Sequence, residues 1–285
     1  MAMLCLDAIL CQREIMNQAN KWQGSVEMIR RAGTRKGRAA SGFFSIEGIR
    51  LHERALHAGV YVQKAILTTG FQMDSSPRVQ TLLADLQEQG CRLEIVPDDV
   101  IEEIIGGRDL GQILGLVKMP EQHRLANIIN SKEREWPLLL VAVDVKDPGN
   151  IGAMIRTAHA SGATAFVATG ISDPFHPKAL RTTMGSLFKL PVLHFQEPVS
   201  LINQLRELGI ESVGTAVSGG TSLPQAAFSD SGVAVLLGSE AWGLPDHVQM
   251  AVDRLVSIPM QAGVDSFSVN AAAAIILYEI GRKRE

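Results

Sequence analysis

Leu138–Val143 is an unbroken apolar run, short enough to read as a strand buried on both faces. Further strand-like runs follow at Ala163–Ala168, Leu190–Phe195, Ile210–Val217, Val233–Leu237 and Arg254–Ile258, with helix-like stretches between most of them. Strands alternating with helices predict an α/β fold with a mostly parallel sheet covered on both faces. The series closes on Val269, Ala272, Ala273, Ile276, Leu277 and Ile280, whose i, i+3, i+4, i+7 spacing draws one apolar stripe along a helix. The small residues Ala271–Ala274 let that helix approach a neighbour closely, either the sheet or a second subunit.

A shorter alternating series comes first. Phe43–Ile46, Tyr61–Leu67, Cys91–Val96 and Ile113–Lys118 read as strands, and Gly48–Ala58 and Pro77–Gln89 as helices, the latter ended by Gly90. Asp98 is placed to cap a short helix that ends at Gly106-Gly107. Between the two series, Glu121–Trp136 is charged and weakly periodic (Lys132, Glu133, Arg134, Glu135), and Pro137 closes it. The expected organisation is a small α/β domain over residues 1–120 with a basic N-terminal segment, a linker over 121–136 and a second domain over 137–285.

Composition narrows the class. A chain of 285 residues that is 46% hydrophobic has material for one large core or two smaller ones. No apolar run reaches the roughly 18 residues of a membrane span. Asp7, Arg13 and Glu14 follow a short apolar start, which argues against a secretory signal. Cys5, Cys11 and Cys91 form neither an even disulfide set nor a CxxC metal spacing, so a reducing cytoplasm with no membrane partner is expected. The net charge of −3 excludes a bulk nucleic-acid coat protein. Arg30, Arg31, Arg35, Lys36 and Arg38 nevertheless gather with no acid among them, and Gly33, Gly37 and Gly42 give the segment a loop-like character. Such a basic loop either binds phosphates or is a solvated, mobile stretch.

Several chemistries lack their signatures. No GxGxxG follows the first strand of either series, and there is no Walker-A lysine pattern. Gly238-Ser239-Glu240 lacks the GxSxG spacing of a nucleophile elbow. The seven histidines are scattered, with no pair at metal-ligand spacing beside acids, so no metal is expected. Chemistry that consists mainly of positioning two ligands is left.

Three loops in the second series share one design: an apolar strand ends, glycine or proline turns the chain, and a polar residue stands at the turn. The first is Asp147-Pro148-Gly149-Asn150-Ile151-Gly152 followed by Arg156, where Asn150 is placed to cap a helix and Arg156 lies six residues along it. The second is Gly238-Ser239-Glu240-Ala241-Trp242-Gly243-Leu244-Pro245. The third runs from Ile258-Pro259-Met260 through Gly263 to Ser266-Phe267-Ser268-Val269-Asn270 and into the last helix. An amide and a guanidinium at a sheet's carboxyl edge suit the gripping of a ligand.

In order and separation these loops resemble the three motifs of the SpoU (TrmH-like) family of RNA ribose 2′-O-methyltransferases, of the SPOUT superfamily, over roughly Leu138–Arg282. Asn150, Gly152 and Arg156 match the first motif, Gly238, Glu240 and Gly243 the second, and Pro259, Met260, Gly263 and the serine/asparagine run the third. More loosely, Arg35-Lys36-Gly37-Arg38, Phe43-Phe44 and Glu47-Gly48 resemble the small L30e-like substrate-binding domain that often precedes this catalytic domain. The family commonly has Ser-Leu-Asn-Val-Ser at the head of the last helix, whereas Ser266-Phe267-Ser268-Val269-Asn270 exchanges asparagine and serine. Both residue types hydrogen-bond and cap, so the loop is expected to persist, with the division of roles between 268 and 270 left open.

The resemblance implies S-adenosylmethionine as cofactor, held in a deep C-terminal trefoil knot. It implies backbone near Gly238, Ile258, Met260 and Phe267 around the cofactor, with Ser268, Val269 and Asn270 beyond and Thr215-Ala216 at the edge. It implies a homodimer whose sites draw on both subunits. It implies Arg156 as the central residue, assigned to proton abstraction; because a guanidinium stays charged, gripping a phosphate and stabilising the forming alkoxide is the alternative role, while Asn150 would orient the nucleotide or Arg156 and Glu240 would fix the loops or the arginine. Arg35, Lys36 and Arg38 would contact RNA, which is ribosomal (23S-type) or, as the alternative, transfer RNA. A non-catalytic RNA-binding protein on the same fold is the main rival reading, and a small-molecule α/β enzyme outside nucleic-acid chemistry is the second. Ser239 and Trp242 are expected to serve loop packing, and His159 and His176 to be structural or solvent-facing.

Overall fold

The computed structural model describes residues 21–108, 111–121, 123–131 and 136–283, so Cys5, Asp7, Cys11, Arg13, Glu14 and Lys132–Glu135 lie outside the described residues. The chain divides into two compact units, Met1–Pro120 and Glu121–Glu285.

In the first unit β1 (Phe43–Glu47), β2 (Val62–Leu67), β3 (Arg92–Ile95) and β4 (Ile113–Lys118) form a sheet of order β1-β4-β2-β3. β4 pairs antiparallel with β1 and β2, and β2 parallel with β3. The helices among its described residues are α1 (Lys21–Ala32), α2 (Arg35–Ser41), α3 (Ile49–His57), α4 (Thr69–Gln72), α5 (Pro77–Glu88) and α6 (Asp98–Ile105). Val26 and Ile29 of α1 and Ile101 and Ile105 of α6 close over Ile66, Leu114 and Leu116 of the sheet.

The basic segment is helical, which corrects the loop reading. Thr34 caps α2 by accepting from Gly37 N at 3.0 Å, and Gly42 ends the helix at φ 72°. Gly37 is needed for space: a Cβ there would stand 2.0 Å from the Arg31 carbonyl oxygen, so the glycine lets α1 and α2 meet. Arg35 and Lys36 are exposed, whereas Arg38 is buried and donates to Ala32 O at 3.4 Å, which removes it from the candidate RNA surface.

His52 is fully buried in α3, with Nδ1 2.7 Å from Gly48 O and no partner for Nε2 among the described residues. Burial holds its pKa down to about 4.

The second unit opens with α7 (Leu125–Ile129), whose Leu125, Ile128 and Ile129 are buried in that unit's core. Trp136 donates its indole N–H to Ser229 O at 3.0 Å. The stretch read as a linker is therefore part of the second unit. Its apolar residues recur at helical spacing, and the charges around them masked that period. Seven strands follow: β5 (Leu138–Val143), β6 (Ala165–Thr169), β7 (Val192–Phe195), β8 (Glu211–Thr215), β9 (Thr221–Ser222), β10 (Val233–Leu237) and β11 (Arg254–Ser257). They form one sheet of order β7-β6-β5-β10-β8-β11-β9, with every pairing parallel. β9 was not expected from the sequence. α8 (Pro148–Ala160), α9 (Pro177–Thr183), α10 (Pro198–Glu207), α11 (Asp246–Ala251) and α12 (Val269–Arg282) connect or cover the strands. Each residue of β5, β6 and β10 is buried, as a parallel sheet flanked on both faces requires. Among the described residues no helix is long and apolar enough to cross a membrane.

Candidate active site

Parallel strands leave a sheet from the same edge. Leu237 of β10 pairs with Ala142 of β5, Leu236 with Gly214 of β8, and Val256 of β11 with Thr215. The loops after β5, β8, β10 and β11 therefore emerge side by side, at the carboxyl edge where open α/β sheets bind ligands.

The loop after β5 turns at once into α8. Asp147, and not Asn150, is the cap: its carboxylate accepts from Asn150 N at 3.3 Å, and Pro148 occupies the first turn, where a missing N–H costs nothing. The Lys178 ammonium, 2.6 Å away, holds the Asp147 carboxyl below the usual carboxylate range. Relieved of capping, the Asn150 side-chain amide donates to Glu240 Oε1, joining the first loop to the second. Gly152 marks the closest approach of α8 to α9, since a Cβ there would stand 2.0 Å from Thr182 Oγ1 and 2.2 Å from the Ala179 carbonyl oxygen.

The loop after β10 is a tight turn. Gly243 N donates to Ser239 O at 2.8 Å, and Gly243 takes the left-handed φ of 64°. Glu240, Ala241 and Trp242 project from this turn and are exposed. Trp242 is 85% exposed, which corrects the expectation that it packs the loop. No apolar shell encloses so short a turn, and an indole at its tip meets solvent.

Between this turn and the third loop lies a cavity of about 520 Å³, within the about 300–1,000 Å³ range of small-molecule pockets. Eight of the expected site residues line it: Thr215, Ala216, Gly238, Glu240, Ile258, Met260, Phe267 and Val269. Leu237, Val256, Ala272 and Ile276 add apolar lining from β10, β11 and α12. From the sequence the last two belong to a stripe facing the sheet or a second subunit; the same stripe also carries the residues that reach the cavity. Among the described residues, the only backbone–backbone hydrogen bond made within residues 259–267 is Val264 N to Gln261 O at 3.2 Å. A bent, apolar-backed pocket with unspent backbone donors and acceptors suits a ligand with an aromatic base and several polar edges.

Of the expected catalytic and cofactor residues, four stand outside the cavity lining: Asn150, Arg156, Ser268 and Asn270. The exchanged pair divides its work clearly. Ser268 caps α12, its hydroxyl accepting from Ala271 N at 3.3 Å, and Asn270 Oδ1 accepts from Thr157 Oγ1 at 2.8 Å. Asn270 thus ties α12 to α8 one residue from Arg156. Arg156 is exposed, and its side chain makes no hydrogen bond or ion pair among the described residues. It follows Asn150 by about 1.7 helical turns and so leaves α8 from a different side. His159 Nδ1 lies 3.2 Å from Ser186 Oγ, and His176 caps α9 by accepting from Lys178 N at 3.1 Å, both structural roles.

The model of the SpoU rRNA Methylase family matches residues 137–278. The 23S rRNA (uridine(2479)-2′-O)-methyltransferase of Streptomyces viridochromogenes is 30% identical over 258 residues, 88% of this chain and 87% of that protein. The 23S rRNA (guanosine(2553)-2′-O)-methyltransferase RlmP of Bacillus subtilis is 29% identical over 87% of this chain and 92% of its own. Among solved structures, the SpoU methyltransferase AviRb from Streptomyces viridochromogenes in complex with AdoMet superposes with a TM-score of 0.78 at 27% identity, covering 90% of this chain and 97% of that one. With the three loops assembled at one sheet edge and these likenesses spanning both units, the chain belongs to the SpoU rRNA methylase family.

Proposed function

We propose that this protein transfers a methyl group from S-adenosylmethionine to a ribose 2′-hydroxyl of ribosomal RNA, in the cytoplasm. The observation that carries the reading is the cavity at the sheet's carboxyl edge, where the second and third loops supply unspent backbone and the Asn150–Glu240 bond brings the first loop alongside. Backbone of Gly238, Ile258, Met260 and Phe267 would hold the cofactor against the apolar lining of Leu237, Val256 and Ile276. When bound, S-adenosylmethionine supplies a methyl already activated by its sulfonium. The work left to the protein is to align the acceptor oxygen and ease the departure of one proton.

Arg156 is the residue for that work. A guanidinium stays charged in proteins, so it acts by gripping phosphate bidentately and stabilising the forming alkoxide, while the proton leaves through the phosphate. Within one chain Arg156 does not line the cavity. A second copy therefore completes the site, and the active species is a homodimer. The C-terminal region forms the family's trefoil knot. In support, β10 inserts between β5 and β8, and Lys283 at the end of α12 donates to the carbonyls of Leu223, Pro224 and Ala226 at 3.1, 2.9 and 2.5 Å, clasping the tail against an earlier loop. Residues 1–120 would bind RNA through Arg35 and Lys36. Relatives named for 23S rRNA nucleotides favour ribosomal over transfer RNA.

The test is 2′-O-methyl mapping of total RNA with and without the protein, alongside calorimetry with S-adenosylmethionine. One ribosomal RNA position should lose its methyl group when the protein is absent. Arg156→Ala should keep the fold and cofactor affinity and abolish transfer; undiminished transfer removes the arginine's assignment. A chain that binds no cofactor is the non-catalytic RNA-binding protein instead.

A further inference from the structure

We infer that Trp242 is a stacking platform for a base of the RNA substrate, seated at the mouth of the cofactor cavity; the inference rests on the methyl-transfer reading above. Three large exposed apolar side chains belong to that cavity: Trp242 at 85%, Val217 at 58% and Phe267 at 41%. Of these only Trp242 stands on the tight turn that also carries Glu240, two residues away, whose carboxylate holds Asn150. The Gly243 N to Ser239 O bond and the left-handed Gly243 fix that turn, so the indole is presented from a braced support.

Apolar residues scattered singly on a surface are ordinary, but Trp242 shares one cavity with exposed Val217 and Phe267, and grouped apolar exposure at a groove marks a ligand-binding surface. The chemistry selects the ligand. The acceptor is a nucleotide whose sugar must reach the cavity mouth, and proteins read single-stranded RNA by stacking unpaired bases on aromatic rings. Stacking is tolerant of base identity because each base has a π-face, and it needs no charge. The motifs of the three loops assign no role to this position.

The test uses the full-length protein, S-adenosylmethionine and an in vitro transcript of the ribosomal RNA, with Trp242→Ala, Trp242→Phe and Trp242→Leu. Because the side chain is exposed, each variant is expected to fold with an unchanged melting temperature. Trp242→Ala should raise KM for RNA by about tenfold or more, the order of one lost base stack, with calorimetric affinity for S-adenosylmethionine unchanged. Trp242→Phe should restore most of the loss and Trp242→Leu little, since leucine keeps apolar bulk without a π-face. The salt dependence of RNA binding should keep its slope, because no phosphate contact is removed. Equal rescue by Leu and Phe, or a loss confined to cofactor affinity, would overturn the proposal while leaving methyl transfer intact. A wild-type protein that binds the cofactor and never methylates the transcript would instead overturn the underlying reading, and this proposal with it.

Discussion

Replacing Gly238 with alanine separates two reasons for which a turn can demand glycine. A Cβ on Gly238 would stand 2.0 Å from both the carbonyl carbon and oxygen of Gly243, and 2.2 Å from Leu244 N. All three are backbone atoms and cannot swing aside as a side chain would. Ordinary contact begins near 3.4 Å, so in Gly238→Ala the turn must open by about 1.4 Å. Opening it strains the Gly243 N to Ser239 O bond of 2.8 Å and carries Glu240 away from Asn150. Overpacking of this kind costs about 1–3 kcal/mol, and a turn hydrogen bond adds about 1 kcal/mol. Gly238, Glu240 and Gly243 all line the cavity, so the displacement falls on the ligand's wall. S-adenosylmethionine affinity should drop at least tenfold, which corresponds to about 1.4 kcal/mol. Gly243→Ala is the matched control: nothing lies within 4 Å of its Cβ, and only the φ of 64° opposes it, at about 1–2 kcal/mol. Calorimetry with S-adenosylmethionine and thermal unfolding of both variants decide the matter. Wild-type affinity in Gly238→Ala, or a larger loss in Gly243→Ala, would refute the close-approach argument.

Other consequences are smaller in scope. Asn270→Ala removes the 2.8 Å acceptor for Thr157 and should cost about 1 kcal/mol by denaturant unfolding, with methyl transfer falling more than cofactor affinity; Asn270→Asp keeps an acceptor oxygen and should retain transfer. His52 is neutral when folded, with a pKa of about 4 against 6.5 for the free side chain, so protons favour the unfolded chain between those values. Its contribution is whole above pH 6.5 and fades as pH falls toward 4, by up to about 3 kcal/mol. Acid titration of unfolding should therefore be less steep in His52→Leu than in wild type, and parallel profiles would contradict this. Neutralising Arg35 and Lys36 together should weaken RNA binding and reduce the logarithmic salt slope by about 1–2, while an unchanged slope would place them outside the interface.

Much of the architecture was written in the order of residue types. Unbroken apolar runs at Leu138–Val143 and Val233–Leu237 announced strands buried on both faces, and the stripe from Val269 to Ile280 announced the last helix. These signals are local, because strand and helix periods are fixed by backbone geometry within a few residues. The three loops were legible for the same reason, as glycine and proline turn the chain wherever they stand. Tertiary structure alone decided what depends on partners distant in sequence. Asn150 meets Glu240 because β10 inserts beside β5, which leaves Asp147 to cap the helix. Gly37 turned out to serve a helix contact and not a loop, and burial drew Arg38 inward while Trp242 was left facing solvent. Strand order sets which loops become neighbours, and it follows from packing the whole sheet at once, which no short window of sequence contains.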